Sequence, residues 1–424
     1  MNEPLAGAGA GAPRGPLTGY TVLELCSTIA GPVCARLFAD FGADVIKVEP
    51  AEGDPVRNMG RHDAEVSLYA ASILRNKQAI SVNIKTPQGR DLVRQLAAKA
   101  DVLIENFRPG TLERLGLGYD ELSRDNPGLV MVRISGYGQT GPYKDRPGYG
   151  VTAEAVGGVR HMTGDPDRPP ARVALAVTDE HTAVYAAFGA LMALLDRVKT
   201  GKGQIVDTAL YETAFSMMEP HVPAYDRLKL VPKRVGPNLP ATAPNSLYPS
   251  RDGEYVLIAA NSDVIFQRLA RVMGRPELID DERYATQRAR AARVAEMNGI
   301  VQEWTQQHEA LDIEARLLEA EVPCARVYTM ADIFEDPHFK QRDMLVQVPH
   351  PEFGQLTMMG IVPKLSATPG QIWRAGAGVG AHTADVLRSR LGLTDEQIRA
   401  LEKEGIIRCA DASAADHEAG GSTP

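Results

Sequence analysis

Short apolar runs alternate along the chain with stretches whose apolar residues recur at helical spacing. Thr21–Leu25 (TVLEL) has the length and composition of a short buried strand. Gly31-Pro32 then opens a helix, proline suiting its first turn, and Val33, Leu37, Phe38 and Phe41 fall on one face. Gly42 ends that helix and Asp44–Val48 (DVIKV) follows as a second strand, which makes a strand–helix–strand unit of a parallel sheet. The pattern repeats with a strand at Ala79–Ile84, a helix started by Thr86-Pro87 with Leu92, Val93 and Leu96 inward, and strands at Val102–Glu105 and Leu129–Ile134. Ala183–Leu195 is apolar almost all round, which predicts a buried helix, and Gln204–Ala209 returns as a strand. Strands alternating with helices predict an α/β fold with an open sheet.

The texture changes near Pro220. Seven prolines fall between Pro220 and Pro249, and no long apolar period survives among them, as in a linker or an extended crossing segment. A strand at Tyr255–Ala260, helices to about Ala320 and a final helix at Thr394–Glu404 complete the pattern. The expected organisation is a large domain over 17–220, a linker over 221–245, a small domain over 246–326 and a return to the large domain over 327–409. Residues 1–16 and 410–424, rich in small and polar residues, are expected to be disordered.

Composition narrows the functional classes. With 424 residues the chain is long for a single core. A net charge of −8 argues against a nucleic-acid surface, which needs a basic footprint. The four cysteines (Cys26, Cys34, Cys324, Cys409) form no C-x-x-C pair, and the nine histidines show no ligand spacing, so no metal site is expected. No apolar run approaches a membrane span and the start lacks a signal-peptide pattern, which predicts a cytoplasmic protein.

Candidate chemistry gathers at strand ends. CSTIAGP after the first strand lacks the glycines of a dinucleotide-binding turn, although Glu49 closes the second strand where a ribose-binding acid would sit. Glu105-Asn106-Phe107-Arg108-Pro109-Gly110 follows a strand directly, and Arg108 and Arg114 suit a phosphate or carboxylate. Ser135-Gly136-Tyr137-Gly138 also follows a strand, its glycines permitting close backbone approach to a ligand. Asp179 precedes the apolar helix. It reads either as an N-cap or as a carboxylate nucleophile at the mouth of a sheet crevice.

Taken in order, GPVCARLFADFGADVIKVEP, NKQAISVNIKTPQGR, ADVLIENFRPG, ISGYGQTGP, TGKGQ and VPCARV resemble the family III CoA-transferases, from about Gly19 to Ile407. The resemblance implies a Rossmann-like large domain with a smaller α+β domain, in an interlocked homodimer. It implies transfer of CoA from an acyl-CoA to a carboxylic acid, with Asp179 as the nucleophile that forms an anhydride and then an aspartyl-CoA thioester. CoA contacts would come from Asn83, Ile84, Lys85, Asn106, Phe107, Arg108, Arg114, Ser135, Gly136, Tyr137 and Gly138, and Ile29 and Ala30 would line the thioester pocket. No cofactor would be bound permanently, the CoA thioester being a substrate. Asn261-Ser262-Asp263 stands where some members carry a glycine-rich loop.

Two other readings remain open. An α-methylacyl-CoA racemase needs a second base, and the histidine of that sub-family would fall where this chain has Tyr149, a poor base at neutral pH. A non-catalytic CoA or nucleotide binder would need no carboxylate at 179. Arg160 and Arg172, near Asp179 in sequence, read either as surface arginines or as holders of a distal carboxylate, the second making the partner substrate a dicarboxylic acid.

Overall fold

The computed structural model describes residues 15–240 and 242–410, so the end segments expected to be disordered fall almost wholly outside it. In chain order it begins β1 (Thr21–Leu25), α1 (Ala30–Asp40), β2 (Asp44–Glu49), a hairpin of β3 (His62–Asp63) and β4 (Val66–Ser67), α2 (Leu68–Ile73), β5 (Gln78–Val82) and α3 (Pro87–Ala97). Next come β6 (Val102–Glu105), α4 (Thr111–Arg114), α5 (Tyr119–Asp125), β7 (Val130–Ser135), α6 (Gly150–Val156), α7 (Val159–Met162), α8 (Val177–Thr200), β8 (Ile205–Ala209) and α9 (Leu210–Ser216). The remaining strands are β9 (Asn245–Pro249), β10 (Tyr255–Ala259), β11 (Cys324–Arg326), β12 (Leu345–His350), β13 (Gly354–Met359) and β14 (Ile407–Arg408).

The residues divide into two units. One takes Met1–Val159, Ala174–Val222 and Lys340–Pro424, as far as these are described; the other takes Arg160–Val173 and Pro223–Phe339. The first holds a seven-stranded sheet in the order β14-β5-β2-β1-β6-β7-β8, parallel except for β14. Its strands are apolar on both faces because each face is covered. Val22, Val45, Val102 and Val130 point to α1 and α8, whereas Leu23, Ile46, Ile80 and Leu103 point to α3 and the C-terminal helices.

The second unit is α+β. Its antiparallel sheet β11-β10-β9 packs Tyr248, Val256 and Ile258 against Phe266, Met297, Val301 and Ile313. Arg290, fully buried here, donates to the carbonyls of Ala243, Tyr284 and Asn261 and to Asp263. The Asn261–Asp263 turn is thereby fixed. Within the proline-rich stretch, expected to be extended, a helix forms at His221–Leu228 with Pro223 in its first turn, where proline costs no hydrogen bond.

Two expectations need correction. The strand expected at Ala79–Ile84 ends at Val82, because Asn83 folds into a turn whose side chain accepts from Lys85 N–H at 3.1 Å. The helix expected at Ala183–Leu195 runs from Val177 to Thr200, and only one face is buried, with Val184, Tyr185, Phe188, Met192 and Leu195 exposed. Among the described residues, no helix is long and apolar enough to cross a membrane.

The C-terminal return is tied to the sheet edge by His382, whose Nδ1 accepts from Ala79 N–H at 3.1 Å. Burial, reinforced by the nearby Arg374 cation, lowers its pKa to about 4. Its stabilising effect is therefore complete above about pH 6.5 and is lost as the pH falls from there through 4. Denaturant unfolding at stepped pH should show the stability gap between the wild type and His382→Gln narrowing on acidification, by up to about 1.4 kcal/mol per pH unit. A gap independent of pH would contradict this.

Candidate active site

The sheet reverses its direction of growth beside β1: successive strands β2 and β5 lie to one side, β6, β7 and β8 to the other. At such a switch point the loops leaving the strand ends part and leave a crevice. Here those loops are Cys26–Ala30 after β1 and Asn106–Gly110 after β6. The Asn106 amide joins them, its Oδ1 accepting from Ser27 N–H at 2.9 Å and its Nδ2 donating to Ser27 C=O at 2.8 Å.

Below that turn, Glu105 is buried and accepts from Phe107 N–H at 2.8 Å. It pairs with Arg133 at 2.7 Å, and Arg133 reaches Glu113 at 2.7 Å. Burial raises the Glu105 pKa, with the Arg133 contacts opposing it. Arg108 and Arg114 remain exposed on the anchored turn. Beyond β5, Asn83 and Ile84 are half-buried and Lys85 is exposed. Four strand spacings separate β5 from β7, so the predicted residues span roughly 19 Å of the carboxyl edge.

After β7, Ser135 Oγ accepts from Gly138 N–H at 2.9 Å, and Gly138 takes a φ of +84°. A Cβ on Gly136 would stand 2.7 Å from the Cα of Gly148, so only glycine lets the two backbones meet. Gly148 leads through Tyr149 to Gly150, the first residue of α6. The Asp179 carboxylate lies against Gly150 so closely that a Cβ there would overlap Oδ2.

Asp179 is the third residue of α8, whose N-cap is Ala176, so it does not act as the N-cap. It is partly exposed. The helix N-terminus favours its anionic form. Glu180 faces the buried Arg36 at 3.8 Å. Tyr69 has its pKa raised by burial and then by the charges of Glu180 and Asp179. Cys26 and Cys34, the nearby thiols, have pKa values pushed up by burial, so neither is a thiolate at neutral pH.

Glu49 does not join this edge. Glu49 is buried and receives Arg57 and Asp54 N–H, leaving no ribose-binding acid there. Arg160 and Arg172 belong to the smaller unit. Sequence reasoning missed Gly150, Tyr69 and Asp54. Of these only Gly150 carried a signal, in the doublet Gly148-Tyr149-Gly150. Among the described residues no acidic, histidine or cysteine group is arranged to hold a metal.

A family model described as CoA-transferase family III matches residues 17–383. A succinyl-CoA–D-citramalate CoA-transferase of Chloroflexus aurantiacus is 44% identical over 93% of this chain and 99% of its own length. The beta subunit of a succinyl-CoA–L-malate CoA-transferase of the same organism is 41% identical, over 92% and 98%. Among solved structures, a CaiB/BaiF family protein from Brucella suis superposes with a TM-score of 0.80 at 35% identity, covering 89% of this chain and all of that one. The chain belongs to CoA-transferase family III and is a CoA-transferase.

Substituting Gly150→Ala should push the Asp179 carboxylate aside while leaving the sheet intact. We expect kcat to fall by about 100-fold with the melting temperature little changed. Full activity in this variant, measured by steady-state kinetics, would remove Gly150 from the site.

Proposed function

We propose that this enzyme moves CoA from an acyl-CoA to a carboxylic acid through covalent intermediates on Asp179. The observation that carries the reading is the partly exposed carboxylate of Asp179 seated against Gly150, one short glycine segment from the end of β7. Asp179 attacks the thioester carbonyl and expels CoA thiolate, forming an acyl–aspartyl anhydride. The retained thiolate attacks the aspartyl carbonyl and releases the donor acid, leaving an aspartyl-CoA thioester. The acceptor carboxylate attacks that thioester and expels the thiolate, which then takes the new acyl group and frees Asp179. Each intermediate is activated, so no ATP and no permanently bound cofactor enter the sequence. Water must be excluded while the anhydride exists.

Lys85, Arg108 and Arg114 are assigned to the phosphates of CoA, Ile29 and Ala30 to the thioester, and the amides of the Ser135–Gly138 turn to the developing oxyanions. Asn83, Ile84, Asn106 and Phe107 complete the CoA wall, with Asn106 offering backbone because its amide is held by Ser27. The relatives' own reactions support succinyl-CoA as donor and a hydroxylated dicarboxylic acid as acceptor. The free thiols support a cytoplasmic setting.

The uncovered apolar face of α8 supports an interlocked homodimer. Phe188 is 58% exposed and Leu195 59% exposed on a helix whose opposite face is core, and a stripe of that kind ordinarily marks an interface. Sedimentation at micromolar concentration should give twice the 45.8 kDa chain mass, and a species of single-chain mass would contradict the dimer.

Covalent catalysis is tested by Asp179→Ala. Transfer should fall by on the order of 10³-fold or more. Hydroxylamine added to wild-type enzyme with succinyl-CoA should leave a hydroxamate on the Asp179 peptide by mass spectrometry. A variant that still transfers CoA at a comparable rate would end the proposal.

A further inference from the structure

We infer that Asp54 is a positioning residue for the transfer, holding the turn before α1 in a strained form that presents Ile29 and Ala30 to the thioester. This rests on the reading, given above, that the turn lines the thioester pocket.

Thr28 has a φ of +73°, in the left-handed region that a β-branched residue rarely enters. Strain of this kind persists only where the surroundings over-determine it, and it clusters at functional sites. Two clamps are visible. Asn106 grips both backbone groups of Ser27, and Asp54 Oδ1 accepts from Thr28 N–H at 2.9 Å.

Asp54 has no freedom to follow the turn. It is 2% exposed, its Oδ1 also accepts from Val56 N–H at 2.8 Å, and its Oδ2 meets Lys47 Nζ at 2.7 Å. Lys47 is fully buried and reaches Glu24 at 2.9 Å, whose second oxygen takes Lys77 at 2.8 Å. Two anions and two cations therefore close a neutral cluster beneath the crevice. Burial pulls the Lys47 pKa down, but Glu24, Asp54 and Glu49 outweigh it and keep the ammonium charged.

The fold alone does not call for threonine in this conformation. A glycine at 28 would take the same φ without strain, and Gly31-Pro32 already start the helix. The clamp instead makes one geometry of the turn persist at the switch point, where the connections leaving β1 and β6 part. Without it Thr28 would relax to negative φ and carry Ile29 and Ala30 with it.

The test keeps the cluster neutral. Lys47→Met/Asp54→Asn retains an acceptor for Thr28 N–H, whereas Lys47→Met/Asp54→Ala does not, and both leave the Glu24–Lys77 pair balanced. With succinyl-CoA as donor and malate or citramalate as acceptor, the alanine pair should lose about tenfold in kcat relative to the asparagine pair. KM for succinyl-CoA should change much less. Adding Thr28→Gly to the alanine pair should recover most of that loss, since glycine needs no clamp, while the lost bond to Val56 keeps the melting temperature low.

Equal kcat in the two pairs, or no recovery with glycine, would overturn the inference. Should the buried pairs not fold, Thr28→Pro reads the same claim without touching the charges. Proline forbids this φ and removes the donor, so kcat should fall at least about 100-fold with the fold retained, and unaltered kcat would overturn it. Labelling of Asp179 in wild-type enzyme is measured first, so a failure of the aspartyl reading appears in the unaltered protein and a failure of the clamp only among the variants.

Discussion

The Asp179 carboxylate seats directly on the backbone of Gly150 because no side chain stands between them, and the same economy of space recurs at Gly136 and Gly148. A carboxylate packed against backbone in the first turn of a long helix is held in place by that contact. Glu180, the next residue, faces Arg36 at 3.8 Å. The proposed chemistry depends on this arrangement. An ionised but mobile aspartate would not attack a thioester held a few ångströms away with useful frequency.

The sheet brings the remaining parts to the same edge. Because β1 and β6 are neighbours and the connectivity parts between them, Ser27 and Asn106 meet although 79 residues separate them. Beneath them the Glu24–Lys47–Lys77–Asp54 cluster replaces the apolar packing expected under a strand end. Such a cluster adds little net stability once desolvation is counted, and its worth lies in geometry, since every oxygen is directed. The edge is thus pinned at the Ser27–Thr28 turn and open where Lys85, Arg108 and Arg114 face solvent.

Much of this was legible in the sequence. The strand bounds at Thr21–Leu25 and Val102–Glu105 came directly from apolar runs, because strands of a parallel sheet covered on both faces have no polar side to blur them. The ordered motifs identified the family, which the comparisons show. Periodicity was less informative about α8. An apolar pattern reports burial without saying by what, and Phe188 and Leu195 are exposed among the described residues. Asp54 and Gly150 were hard to read for a different reason. Each acts through a contact with a residue more than twenty positions away, and only the Gly148-Tyr149-Gly150 doublet left a trace in the sequence.

Oxygen transfer to Asp179 tests the central claim most directly. A single turnover of aspartyl-CoA enzyme with acceptor acid carrying oxygen-18 in its carboxylate should leave one heavy oxygen in the Asp179 side chain. The bridging oxygen of the second anhydride stays with the enzyme when thiolate takes the acyl group. A peptide spanning Asp179 that remains unlabelled while labelled acyl-CoA product accumulates would contradict the account.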